Sequence, residues 1–181
     1  MKEVEILVKV IDDKEKALSL LKRFEPEGIR VIHDVYYKHP AGLVQFVKEP
    51  RSWLRVRTQE GRSFVTFKKD VFKGKEWIYS DEHETEVKDA ELMNKILEEL
   101  GFQELITLHN ERNVFKQDDY EIVLEDVKDL GLFLEVELKR EPEDAEKAKS
   151  QIQKFISELG LKTEDVKEGK PGMLLKKNNL L

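Results

Sequence analysis

Four pairs of like charges recur along this chain, each pair split by one residue. Glu3 and Glu5 open it, Arg55 and Arg57 follow, then Glu84 and Glu86, and finally Glu135 and Glu137. Lys68 stands alone in a similar setting, in "SFVTFKK". In an extended chain residues two apart point to the same side, so each pair presents its charges together. Arginine forks grip phosphoryl oxygens through two donors at once, and lysine adds a point charge. Carboxylates hold hard divalent cations such as Mg²⁺ or Mn²⁺, which bridge phosphate oxygens. A polyphosphate carrying a metal ion uses both signs. Phosphoryl transfer is mostly positioning and charge neutralisation, so a site of this kind can run it without a nucleophilic side chain.

The elements that must carry these charges alternate. In "MKEVEILVKV", Val4, Ile6, Val8 and Val10 take one parity while Glu3, Glu5 and Lys9 take the other, the period-two signature of a strand. Leu54 and Val56 oppose Arg55 and Arg57; Val65 and Phe67 oppose Thr66 and Lys68. Glu82, Glu84 and Glu86 share a face, Ile122 and Leu124 oppose Glu125, and Leu134, Val136 and Leu138 oppose Glu135, Glu137 and Lys139. "QEGR" reads as a hairpin turn. Helices are expected at "DDKEKALSLLKRF", capped by Asp12 or Asp13, and at "DAELMNKILEELG", between Asp89 and Gly101. A third is expected at "EPEDAEKAKSQIQKFISELG", with Pro142 near its first turn and Gly160 closing it. The tail "KPGMLLKKNNLL" reads as a last helical turn, and "GLVQFV" as a lid or a buried loop strand.

The 181 residues suit a single domain spanning 1–181 and can bury a proper core. Charged residues make up 39% of the chain, well above the usual quarter or so. Net charge is −6 at pH 7, so nucleic acid is not the expected partner, because phosphate neutralisation needs a basic surface. Without cysteine, disulfides, thiolate metal sites and a cysteine nucleophile are excluded. No apolar run reaches membrane-spanning length, which excludes a membrane partner at the level of helices. A soluble, cytoplasmic protein is expected.

Around eight strands joined by short connections favour an antiparallel α+β fold with helices packed outside. Such faces also arise on a one-sided sheet that wets its polar side. Two details argue against that reading. The polar positions are nearly all Glu, Arg or Lys, where a wet face mixes in Thr, Ser and Gln. Eight strands are also enough to curl and close. If the oily faces meet helices outside, closure turns the charges inward, where they must pair or bind ions.

The ordered set of these segments resembles the CYTH superfamily, the triphosphate tunnel metalloenzymes. These include class IV adenylate cyclases, thiamine triphosphatases and inorganic triphosphatases. "EVEIL" is similar to the family's opening Glu-x-Glu-x-Lys, "HDVYYKHP" to its tyrosine-rich strand, "LRVR" to Leu-Arg-x-Arg, "TFK" to Thr-x-Lys and "ETE" to Glu-x-Glu. Arg112 in "NERNVF" sits where the family has an arginine before an aromatic. "IVLEDVKDLGLFLEVEL" resembles its Leu-Asp-x-Val…Phe-x-Glu-x-Glu block. The resemblance implies a closed eight-stranded antiparallel barrel, a tunnel lined with charge. It implies a triphosphate-bearing small molecule as partner and Mg²⁺ or Mn²⁺ as cofactor. The implied metal ligands are Glu3, Glu5, Glu84, Glu86, Glu125, Glu135 and Glu137. Arg55, Arg57, Lys68, Arg112 and Lys170 would grip the triphosphate, in a monomer or homodimer.

Departures from the pattern fall at named positions. Leu7 stands in place of the third, lysine element of the opening motif; Lys9 shares its parity one step on and is the candidate to replace it, both for catalysis and for substrate binding. Tyr37 is a second catalytic candidate, since the family can use a tyrosine there. Lys38-His39-Pro40 replaces Asp-Thr-Pro, Asn110 a frequent lysine, Glu125 an aspartate, and Gly172 an aromatic near Lys170. His33, His39, His83 and His109 show no metal-ligand spacing. Three functions stay open: a metal-dependent triphosphate hydrolase, which is preferred, a class IV-type adenylate cyclase, and a non-catalytic polyphosphate- or nucleotide-binding protein.

Overall fold

A computed structural model describes residues 2–38 and 52–180, so "GLVQFV" and His39 lie outside the described residues. The alternating segments form strands close to their expected limits: β1 (Lys2–Val10), β2 (Glu25–Lys38), β3 (Ser52–Gln59), β4 (Arg62–Lys73), β5 (Glu76–Val87), β6 (Gln103–Gln117), β7 (Tyr120–Val127) and β8 (Gly131–Leu138). All their pairings are antiparallel, in the order β5-β4-β3-β2-β6-β7-β8-β1. The ends meet where Lys2 pairs with Asp81 and Glu3 with Ser80, which closes the sheet into an eight-stranded barrel. A ninth strand that alternation is too short to reveal, β9 (Thr163–Asp165), pairs with Val8–Val10 of β1. The "QEGR" hairpin turns on Glu60 and Gly61, both at positive φ (50° and 77°), the two-residue geometry that matches strand twist.

Four helices accompany the barrel: α1 (Lys14–Leu21), α2 (Ala90–Glu99), α3 (Ala145–Glu158) and α4 (Lys170–Lys177). Asp13, rather than Asp12, caps α1 by accepting from the Lys16 amide; Asp89 caps α2 and Asp144 caps α3 in the same way. Pro142 lies near the first turn of α3, two residues before the cap Asp144. Gly101, at φ 88°, ends α2 in the left-handed region that favours glycine.

The apolar faces point outward, under the helices. Ala148, Ile152 and Ile156 of α3 and Ala17 and Leu21 of α1 pack on Val4, Val8, Ile122, Leu124, Leu134 and Val136. Leu97 of α2 covers Val35, Tyr37, Leu54 and Val56. α4 departs from the expectation that helices lie outside. Its Leu174 and Leu175 pack with Tyr36, Ile106, Leu108 and Phe133, residues of inward parity, so it fills one end of the barrel. Among the described residues no helix is long and apolar enough to cross a membrane.

Ile152 has no exposed surface and joins α3 to the barrel wall. Ile152→Ala should cost about 2–5 kcal/mol of unfolding free energy. Urea denaturation followed by circular dichroism checks this; a loss below about 1 kcal/mol would mean that α3 is not docked as described.

Candidate active site in the barrel lumen

Strand parity decides which side chains enter the barrel, and register decides which of them meet. Asp34 of β2 lies opposite Arg57 of β3, Arg57 opposite Phe64 of β4, and Phe64 opposite Glu86 of β5. One ladder further along, Tyr36 faces Arg55, Arg55 faces Thr66, and Thr66 faces Glu84. Glu5 faces Glu137, and Arg112 faces Glu125. The result is a cavity of about 1060 Å³ whose walls include Glu3, Glu5, Arg55, Arg57, Lys68, Arg112, Glu135, Glu137 and Lys170.

The cations differ in how firmly they are held. Asp34, 1% exposed, takes Arg57 through both Nε and Nη2 at 2.7 and 2.8 Å. Against the burial that would raise it, Arg57 and Arg55 hold the Asp34 carboxyl well below its ordinary range. Arg112 donates from Nε to Glu125 Oε1 at 2.5 Å, and Asn110 donates to the same oxygen at 2.7 Å. Lys170, which α4 projects into the lumen from its first turn, bonds the other oxygen of Glu125 and lies 2.5 Å from Glu135. Lys68 sits 2.5 Å from Glu3 and 3.1 Å from Glu82. Arg55 is looser: its nearest carboxylates, on Asp34, Glu84 and Glu82, are 3.7, 3.9 and 4.0 Å away, and its buried Nε has no partner. A buried donor left open in a cationic wall is a place for an anion.

The carboxylates divide the same way. Despite burial, Lys170 and Arg112 hold Glu135 well below the usual range, and Arg112 and Lys170 lower Glu125 as well. Lys68 and Arg55 bring Glu82 down to about 2 in spite of its burial. Three others go the opposite way. Burial raises Glu3 to about 7, reinforced by Glu82 and Glu137 and opposed by Lys68. Burial raises Glu5 to about 8 and Glu137 to about 7, with Glu135 adding its charge to both and Lys68 and Lys139 pulling back. Among the described residues no three acidic or histidine side chains already converge on one point as a metal cage. Glu3, Glu5 and Glu137 nevertheless form an acidic corner that outnumbers its cations: Lys68 reaches Glu3 at 2.5 Å and Glu5 only at 4.0 Å, and Lys139 donates to Glu137 at 3.1 Å. Oxygen donors with that deficit fit a hard divalent cation.

Several expected site residues lie elsewhere. Tyr37 is 1% exposed in the outer core beneath α2, where burial pushes its hydroxyl up to about 12; its neighbour Tyr36 has the inward parity and meets Trp53 edge-on at 5.9 Å. Lys9 keeps the parity of Glu3 and Glu5 but lies beyond the cavity, exposed, between Phe133 and Glu164. Glu86 is at the rim, exposed and bonded to Arg62 at 3.1 and 2.6 Å. Glu84 does line the cavity and accepts from Thr66 Oγ1 at 2.8 Å. Glu125 is fully buried with both oxygens engaged by Asn110, Arg112 and Lys170, so it anchors cations and is not open to a metal. Asp34 and Glu82 were not among the expected residues. Each stands two before a residue that was in view, Tyr36 and Glu84, and so shares its inward face.

A domain model described as the CYTH domain matches residues 1–169. A protein of Methanocaldococcus jannaschii, MJ0240, provisionally named an adenylate cyclase, is 36% identical over 146 residues, 76% of this chain and 77% of its own. The solved PH1819 protein of Pyrococcus horikoshii OT3 superposes with a TM-score of 0.83 at 26% identity, covering 97% of this chain and 99% of that one. A Hippeastrum protein, provisionally an adenylyl cyclase and described as having a dominant triphosphatase activity, superposes with a TM-score of 0.68 over 99% of this chain and 96% of that one. At 18% identity this last likeness is one of fold alone.

Two outcomes follow from the charges. Removing the Asp34 carboxylate leaves Arg57 buried and unpaired, so Asp34→Ala should cost about 3–5 kcal/mol in chemical denaturation. The raised carboxyls of Glu3, Glu5 and Glu137 contribute stability that is complete below their ordinary value of 4.5 and is lost as pH rises through about 7 to 8. The urea midpoint of the cation-free protein should therefore fall between about pH 5.5 and 8.5, less steeply in Glu5→Gln. A midpoint that stays level or climbs over that span would show that the acidic corner is not strained.

Proposed function

The chain belongs to the CYTH domain family, and from that premise we propose that it hydrolyses a triphosphate-bearing small molecule in the barrel lumen with the help of Mg²⁺ or Mn²⁺. The observation that supports this reading is the lumen's division into a cationic wall with an open guanidinium donor and an acidic corner whose three carboxylates have, among the described residues, only Lys68 and Lys139 within ion-pair distance. A triphosphate with its metal ion supplies what each half lacks. Arg55 takes a phosphoryl oxygen through its free Nε, and Arg57 and Arg112 present their remaining donors from positions locked by Asp34 and Glu125. Lys68 and Lys170 add charge at the two sides. Glu3, Glu5 and Glu137, with Glu135 beside them, are the residues that would hold the divalent cation. When bound, that ion neutralises phosphate charge and makes water more acidic. Water attack on phosphorus then breaks the P–O bond to the leaving phosphate.

Two observations keep the neighbouring readings in play. The 36% identical relative carries an adenylate cyclase name, which favours internal attack by a ribose hydroxyl as the second reading. Leu7 packs with the apolar cluster that α4 completes and lines the cavity from there, so no ammonium stands where the resemblance places one for activating water.

Tripolyphosphate, thiamine triphosphate and ATP, each with Mg²⁺ or Mn²⁺, should yield orthophosphate; cyclic AMP from ATP would instead support the second reading, and tight binding without turnover a binding protein. Arg55→Ala should raise KM at least about tenfold. Leu7→Lys should raise kcat, and an unaltered rate would mean that position 7 is not the missing catalytic one. Millimolar Mg²⁺ should restore at pH 8.5 the stability lost by the acidic corner, an effect on the order of 1–3 kcal/mol; no restoration would remove the metal from this proposal.

A further inference from the structure

Outside the lumen, one pair of side chains has chemistry that the barrel does not use. His33 of β2 and His109 of β6 are register partners on the outer face, while their neighbours Asp34 and Asn110 point inward. Their Nδ1 atoms are 3.1 Å apart, with ring centroids at 4.4 Å and planes tilted by 44°. The strands beneath are fixed by the flanking buried residues Ile32, Leu108 and Asn110. The pair is therefore presented from a rigid surface, with His109 exposed.

Only one proton can lie between two imidazole nitrogens at this distance. Desolvation and His33 together hold His109 below its ordinary value, with Lys128 adding to the effect. A metal ion is the other cation that fits. Imidazole nitrogens bind zinc at about 2.0–2.1 Å, so two of them 3.1 Å apart subtend roughly 95–100° at the ion. That angle falls between the square-planar and tetrahedral ideals, within reach of a small closing or opening of either ring.

We propose that His33 and His109 form a surface chelate for a late first-row divalent cation, Cu²⁺ most tightly and then Ni²⁺ or Zn²⁺. The class follows from the donors: imidazole suits these ions, whereas Mg²⁺ and Mn²⁺ prefer the oxygen donors of the lumen. Among the described residues no third acidic or histidine ligand completes the set, so water fills the other positions. Affinity is then on the order of micromolar, and Lys128 nearby weakens it further. A bound ion links β2 to β6 directly behind Asp34, the residue that orients Arg57.

The test is a Cu²⁺ titration in saturating Mg²⁺, read by calorimetry and by electron paramagnetic resonance. The wild-type protein should bind one ion with coupling to two nitrogens. His33→Ala and His109→Asn should each lower affinity roughly tenfold or more and leave at most one coupled nitrogen. Glu137→Gln, which alters the lumen, should bind as the wild type does. The proposal fails if no ion binds, if the wild type shows oxygen ligands only, or if either histidine variant binds unchanged. His109 is exposed and on a different strand from His33, so its variant gives a reading that does not depend on how His33→Ala folds.

Discussion

Charge enclosed by a sheet has to be answered by charge. That constraint shapes this molecule from its first strand to its last helix. A barrel that turns its oily faces to helices leaves its polar faces nowhere to go but inward, and an ion in such a space is costly unless paired. The lumen meets the cost with a lattice of contacts: Asp34 to Arg57, Glu125 to Arg112 and Lys170, Glu3 and Glu82 to Lys68. Asp34–Arg57, Arg112–Glu125 and Lys68–Glu82 tie consecutive strands, while Lys68–Glu3 and Lys170–Glu125 tie segments distant in the chain, so the same bonds that settle the charges also hold the barrel's wall together. Lys170 extends the lattice to α4, which is why a short terminal helix is drawn into the barrel mouth with two leucines behind it.

Within that lattice the groups fall into two kinds. Some are fully answered and rigid, as the Asp34–Arg57 fork is. Others are answered only in part: Arg55 with an unpartnered donor, and Glu3, Glu5 and Glu137, which share Lys68 and Lys139 and have proton affinities lifted by burial and by neighbouring carboxylates. The first kind holds the second in place. Preorganised dipoles and charges of this sort need no rearrangement when a ligand of matching pattern arrives, which is where electrostatic catalysis draws its advantage. The deficits are also local. The unfilled anionic positions lie along β1 and β8, and the open guanidinium lies on β3, so a ligand answering both must span the lumen.

Much of the architecture was legible because its signals are periodic. Alternation in "SWLRVRT" and "GLFLEVEL" sets Arg55, Arg57, Glu135 and Glu137 apart from the greasy sides; which side faces inward follows from closure of the barrel, which the ordered family pattern implied and parity alone did not. What parity does not carry is depth along a strand. Lys9 and Glu86 have the inward parity yet lie past the ends of the cavity, one exposed and the other tied to Arg62. Nor does it carry register between strands, so Asp34 as the partner of Arg57 became visible only when β2 and β3 were aligned. Tyr37 shows a third gap: two adjacent tyrosines must face opposite ways, and the side each takes depends on which one the barrel closes over. α4 was too short for periodicity to reveal that its apolar residues belong inside.

The seam that closes the barrel joins Glu3 to Ser80 and Lys2 to Asp81, and β1's other edge waits for β8, more than a hundred residues downstream. Within this chain β1 precedes both of its partners and waits longest for the second. Loop-closure entropy must be met before either contact forms, which makes assembly slow and keeps an alternating strand with bare edges in solution meanwhile. The charged residues on that strand then do a second service: Lys2, Glu3, Glu5 and Lys9 make a bare-edged ribbon a poorer template for pairing until the late hairpins arrive to receive it.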